Sequence, residues 1–278
     1  MHPTHTSWGP RLVARPTGNL RAALLVTPPP AIERARALPG EPNAIHARAR
    51  LQHEILCRTL EYFNCEVTLL DAHTDDPFAS AVADAAVVFE NGAVLTRPSS
   101  MTRRPESAWL ESELERLDVP VAGHIVPPGL LDGTDVLMAG TTAFIGAGKR
   151  SNALGRSGFS QIAQAHGFSV VEVRLADGVA SLRSVAGVIS AESIVLAQDE
   201  LLDHAAFSGF KTIVTPRGQE LGAGVLNLGD GHVIADVRFR ETNELLRKSG
   251  VTVEALDFYD FDRIGLSPSM LVVDLKRV

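Results

Sequence analysis

Asp135–Gly146 reads DVLMAGTTAFIG, an apolar run, a small polar turn at Gly140-Thr141-Thr142, and a second apolar run. β-rich runs joined by a glycine-containing turn predict a hairpin, because such turns need positive φ. Beyond it, Asn152–Ala165 carries apolar residues at helical spacing, and Val170–Leu175 (VVEVRL) reads as one further strand. The unit is therefore hairpin, helix, strand.

The same order recurs along the chain. Hairpins are predicted at Ala85–Thr96 (AAVVFENGAVLT, turning at Glu90-Asn91-Gly92), at Val185–Ala197, and at Gly224–Val237 with Gly229-Asp230-Gly231 at its tip. A fifth pairs the two ends of the sequence, Leu271–Leu275 with Arg21–Val26. Helices are predicted over Ala44–Phe63, Glu106–Leu117, Asp199–Phe207 and Arg240–Lys248. The strands that follow them are Glu66–Leu70, Val119–Val126, Thr212–Thr215 and Val251–Leu256. The period is roughly 40–50 residues, the range of repeat architectures. The expected fold is α/β, a five-bladed propeller of pseudo-symmetric repeats in which both termini close the ring. No shift in Pro, Gly or charge marks a linker, so 20–278 reads as one propeller domain behind an N-terminal arm, 1–19.

Composition narrows the function classes. A net charge of −7 over 278 residues argues against non-specific nucleic-acid binding. The longest apolar runs fall far short of a membrane span, and Met1–Asn19 has no apolar core of a secretory signal. A cytoplasmic protein is expected. Its two cysteines, Cys57 and Cys65, would lie about 12 Å apart on a continuous helix, too far for a disulfide. They read as reduced, buried thiols. His46, His53 and Cys57 recur on one helical face and could offer zinc ligands, but an ordinary helix face is the better reading. His2 and His5 are too sparse for a site. No metal and no cofactor are expected. Gly146–Ser151 (GAGKRS) lacks the spacing of a phosphate loop.

Two stretches carry a resemblance. Ala93–Arg104 (AVLTRPSSMTRR) is similar to "LITRP-x-x-x-x-RR", and Leu131–Gly155 (LDGTDVLMAGTTAFIGAGKRSNALG) to "LEGGDVL…FVGLSxRTNxxG". Both motifs belong to the dimethylarginine dimethylaminohydrolases of the guanidine-modifying (pentein) superfamily, five-bladed α/β propellers in which a cysteine attacks a guanidinium carbon. The resemblance implies that Arg97 and Arg150 hold a ligand's α-carboxylate, which suits the guanidinium fork. It also implies that Asp84 lines the guanidinium pocket, with Ala83 where the family has Glu, and that Asp135 matches the Asp of "GGDVL". A homodimer is compatible with it.

The reactive positions depart from the pattern. The family Glu of "LEGGDVL" falls on Asp132, and the "LHLKS" histidine falls on Ser181. The nucleophile's segment best matches Leu221–Asn227 (LGAGVLN), which puts the cysteine at Ala223 or, with a slip, at Gly222 or Gly224. No cysteine follows Cys65. Opening a guanidinium needs a strong nucleophile and an acid for the departing amine. Thiol-type amidinohydrolase activity is therefore not expected. Cys57 is a poor substitute on a peripheral helix. Ser181 would need a histidine such as His124, His166, His204 or His232. Ser267-Pro268-Ser269 reads as channel mouth or as a plain turn before the last strand.

The leading expectation is a catalytically degenerate family member that binds a guanidino or ureido amino-acid-like ligand. One alternative is a C–N hydrolase working through Asp84, Asp132, Asp135 or Ser181. Another is a non-catalytic interaction protein on the same fold.

Overall fold

A computed structural model describes residues 12–229 and 231–278. His2, His5 and Asp230 lie outside the described residues. In chain order the elements are β1 (Leu20–Val26), α1 (His46–Tyr62), β2 (Glu66–Leu70), β3 (Ala86–Phe89), β4 (Gly92–Leu95), α2 (Pro105–Arg116) and β5 (Val121–His124). They continue with β6 (Val136–Ala139), β7 (Thr142–Ala147), α3 (Ala153–Ala165), β8 (Ser169–Arg174), α4 (Leu182–Val185), β9 (Ala186–Ser190), β10 (Ser193–Leu196) and β11 (Lys211–Val214). The last are β12 (Leu226–Gly229), β13 (His232–Asp236), α5 (Arg240–Lys248), β14 (Thr252–Leu256), α6 (Tyr259–Asp262) and β15 (Val273–Arg277).

The strands form five three-stranded sheets, β3-β4-β5, β6-β7-β8, β9-β10-β11, β12-β13-β14 and β15-β1-β2. Each is an antiparallel hairpin with a parallel third strand beside its second member. Parallel pairing needs a crossover. α1, α2, α3 and α5 supply four of them. The hairpin shared by the termini forms, with Leu24 opposite Val273. Residues just before β1 join it: Val13 bridges Arg277 in parallel, and the Leu12 N–H donates to Glu90 O at 2.8 Å. The chain thus has the expected five-bladed α/β propeller.

Burial follows strand position. The innermost strands are the most buried, wholly so in β3 (AVVF) and β12 (LNLG) and nearly so in β15 (VDLKR), whereas outer strands such as β5 alternate. Inner strands β15 and β3, β6 and β9, and β9 and β12 pack against one another round the axis. Among the described residues no helix is long and apolar enough to cross a membrane.

One expected helix does not form. Asp199–Phe207 is two separate 3-10 turns, Gln198–Glu200 and His204–Phe207. Leu201 between them makes an antiparallel bridge to Leu175, and Asp203 accepts from the Arg174 backbone N–H at 3.0 Å and its guanidinium at 2.6 Å. These tertiary contacts override a modest local helical preference. The last strand also starts later than expected, at Val273, because Pro268–Met270 makes a 3-10 turn first.

Each hairpin is preceded by a short turn: Val82–Asp84, Gly133–Asp135, α4, Glu220–Ala223 and Pro268–Met270. These pack into a ring at one end of the axis. α4 touches Gly133–Asp135, Glu220–Ala223 and Pro268–Met270, and Val82–Asp84 touches Gly133–Asp135 and Pro268–Met270.

Candidate functional site

The ring is tight because of its small residues. A Cβ on Gly133 would lie 2.1 Å from the Ala83 carbonyl oxygen, and one on Gly146 2.8 Å from Asp135 Oδ1. Only glycine lets Gly133–Asp135 close on Val82–Asp84 and lets β7 pass Asp135.

Three acids converge there. Asp84 is wholly buried and accepts from the Arg103 guanidinium and the Thr134 hydroxyl. Arg150 Nη1 lies 3.6 Å from Asp84 and 3.6 Å from Asp132, bridging the two. Burial would raise the Asp84 pKa, but Arg103 and Arg150 outweigh it and hold the carboxyl below its ordinary value. Arg103 is itself buried, and it also binds Glu106 at 2.8 Å and the Ala81 carbonyl at 3.0 Å.

Asp132 accepts from the Ser99 N–H at 2.7 Å. Burial, then the neighbouring charge of Asp84, push its carboxyl up to about 7. Asp135 Oδ1 accepts from the Leu182 N–H at 3.0 Å, while Oδ2 has no hydrogen-bond partner. Burial raises this carboxyl well above its ordinary value, only partly opposed by the Leu182 N–H. The three environments push the carboxyls apart: Asp84 down, Asp132 up to about 7, and Asp135 well up. Such a split suits proton transfer.

The structure thus brings together Asp84, Asp132 and Arg150, with Asp135 at the far end of the turn that Asp132 opens. Arg97 stands beside them through its backbone, which pairs with Leu131, and its Nη1 donates to the Gly129 carbonyl at 3.1 Å. Ser181 precedes α4, where its backbone N–H donates to the Ser184 hydroxyl; its own hydroxyl is buried and has no hydrogen-bond partner. Ala223 is buried at the end of Glu220–Ala223, against α4. Ser267 and Ser269 lie on the fifth turn, their hydroxyls 3.4 Å apart, and the Ser267 hydroxyl donates to the Arg183 carbonyl at 3.3 Å. This turn belongs to the ring rather than merely leading into a strand. None of the five turns carries a thiol.

None of the hydrogen bonds of the four histidines goes to Ser181. His124 is exposed on β5 and pairs with Glu111 at 2.9 Å. His166 meets Asn91 at 2.7 Å, and His232 meets Glu254 at 3.0 Å. His204 sits on the 3-10 turn His204–Phe207.

A thiol and an imidazole do meet elsewhere. On the buried face of α1, Cys57 Sγ lies 3.8 Å from His53 Nδ1. Burial pushes the Cys57 thiol up to about 11 and the His53 imidazole down to about 4. The pair is therefore neutral thiol and neutral imidazole at pH 7. Cys65 is also buried and pushed up to about 12. His46 Nε2 sits 3.0 Å from the Pro28 carbonyl oxygen, and among the described residues no group of three His, Cys, Asp or Glu side chains is placed to hold a metal ion.

Sequence reasoning missed Arg103, Thr134 and Ser99, which fix the acids. The paired arginines of Ala93–Arg104 were the one available signal for Arg103.

No protein-family model matches the chain. It is 31% identical over 234 residues to the N(G),N(G)-dimethylarginine dimethylaminohydrolase of Streptomyces coelicolor, covering 84% of this chain and 88% of that one. It is 27% identical over 225 residues to the Pseudomonas aeruginosa protein of that name, covering 81% and 87%. Among solved structures, a cysteine-to-serine mutant of the P. aeruginosa enzyme complexed with citrulline superposes with a TM-score of 0.83 at 23% identity, covering 92% of this chain and 99% of that one. The N-terminal domain of ArgZ, an arginine dihydrolase, superposes with a TM-score of 0.81 at 18% identity, covering 92% and 98%.

Proposed function

We propose, from the premise that this chain belongs to the dimethylarginine dimethylaminohydrolase family of penteins, that it binds a small guanidino or ureido amino acid without opening it by thiol chemistry. One observation carries this reading: its only thiols, Cys57 and Cys65, lie on α1 and just beyond it, protonated and off the ring. Arg97 and Arg150 are the groups for the ligand's α-carboxylate, and Asp84 with Asp132 those for its cationic or ureido end. Arg150 rests on both acids. A ligand carboxylate competes for that guanidinium, so drawing Arg150 outward frees the acids. Ligands carrying both groups are then favoured over those with a guanidinium alone.

The test is a thermal-shift panel of arginine, methylated arginines, citrulline and ornithine, with agmatine as the carboxylate-free control and product assayed in the same samples. A shift with one of the amino acids, none with agmatine, no product, and loss of the shift in Arg97→Ala would support the reading. Absence of any shift would overturn it.

A second reading is favoured by the Asp132 carboxyl at about 7. A group that titrates there can take a proton from water, which suits a C–N hydrolase without a cysteine. Product that disappears in Asp132→Asn would select this reading over the first.

A further inference from the structure

Behind the ring of turns, the inner strands line a half-open chamber of about 70 Å³. Its walls are largely apolar, with Val87, Leu137 and Val188 among them. Its polar groups are Arg183, Asn227, Asp274, Ser269 and Arg277.

The two arginines are served very differently. Arg277 is saturated: Nε donates to Asp274 at 2.8 Å, Nη1 to Gly18 O at 2.8 Å and Asn227 Oδ1 at 3.1 Å, and Nη2 to Asn227 O at 2.6 Å. Arg183 Nε donates to Val136 O at 2.9 Å and Nη1 to Ser269 O at 3.2 Å. These are neutral carbonyls. Among the described residues Arg183 has no ion-pair partner, and its Nη2 donates to no protein group.

The residue before Asp84 sharpens the point. Ala83, buried on the neighbouring turn, offers no charge. The one carboxylate in the chamber, Asp274, is already engaged by Arg277. Two guanidiniums against one carboxylate leave one positive charge. A partly buried charge with no ion pair of its own is costly, and burial lowers the Arg183 pKa although the more distant charges of Asp274 and Asp84 act to raise it. The chamber has room: a cavity of only ~10–15 Å³ already holds a water.

We propose that the chamber binds one small monovalent inorganic anion of the halide class, held by the free N–H groups of Arg183. Its size suits chloride or bromide better than a larger organic anion such as gluconate. The apolar walls leave the anion few competing waters, and Asp274 repels any second one.

The probes are chloride and bromide, tested on the full chain. Thermal unfolding is followed at constant ionic strength while sodium gluconate is replaced by sodium chloride. The expected result is a saturable rise of roughly 5 °C, absent in Arg183→Gln. Crystals grown in sodium bromide should show an anomalous peak in the chamber within hydrogen-bonding distance of Arg183. Equal unfolding temperatures in chloride and gluconate would overturn the proposal, as would a chamber filled by water with bromide only on the exterior. Should Arg183→Gln fail to fold, the bromide peak in the unaltered protein decides alone.

Discussion

Two regions of this molecule divide between them the parts a guanidine-opening enzyme keeps together. The ring of turns has the charges: Asp84, Asp132 and Asp135 beside Arg103 and Arg150, but no thiol. The α1 face has a thiol against an imidazole, Cys57 and His53, but no charge within reach that would ionise them. Proximity of a cysteine and a histidine does not make a nucleophile. A thiolate–imidazolium pair needs a site that stabilises both charges, and desolvation on α1 removes both. In the ring the same desolvation is offset at Asp84 by two arginines and prevails at Asp135.

The largest break of that contrast is Asp84→Asn. It leaves the buried Arg103 with Glu106 alone and Arg150 with Asp132 alone. Removing one member of a buried ion pair typically costs about 3–5 kcal/mol, and urea unfolding should show a loss of that size. A loss below about 1 kcal/mol would mean that Asp84 does not organise the ring.

Asp132 gives a smaller effect with a defined pH signature. Its folded pKa, about 7, lies above the ordinary value of 3.8 that it regains on unfolding. The folded state therefore holds a proton that the unfolded state releases across this interval. Stability from this group is fully present below about pH 4 and is lost as pH rises to about 7, by about 2–4 kcal/mol in all. Asp132→Asn should flatten that part of the profile and be more stable than the unaltered protein at pH 8. Urea unfolding at pH 5 and pH 8 checks it; an unchanged slope in the variant would assign the pH dependence to other groups.

The contrast between the regions also explains what can be read from the sequence. Hairpins such as Ala85–Thr96 and Asp135–Gly146 are legible because glycine turns and apolar runs are local signals. The pairing of Arg21–Val26 with the C-terminal strand is legible only through the repeat, which demands a fifth hairpin. Asp199–Phe207 misleads because Leu201 and Asp203 answer to partners in and just beyond β8. In the site, Asp84 and Arg150 can be matched by motif, but not the bridge between them, which depends on side-chain direction. Thr134 and Arg103 are hidden for the same reason: each meets Asp84 across a boundary between turns or loops that no local pattern encodes. The Cys57–His53 contact is visible as spacing on a helix, yet its inertness comes from burial supplied by the packed core.

That inertness is the smallest and sharpest test. With a pKa of about 11, Cys57 is thiolate in about one molecule per thousand at pH 8, against roughly one in four for an unperturbed thiol. Alkylation by iodoacetamide should therefore run at least about a hundredfold slower in the folded protein than in urea, and steric burial slows it further. Cys65, pushed up to about 12, should follow. Mass spectrometry of timed samples reads both sites, and Cys57→Ser should leave any turnover unchanged. Rapid labelling of Cys57 at pH 7 would mean that α1 supports a thiolate after all. The ring and the helix would then have to be considered as parts of one reactive system rather than two separate ones.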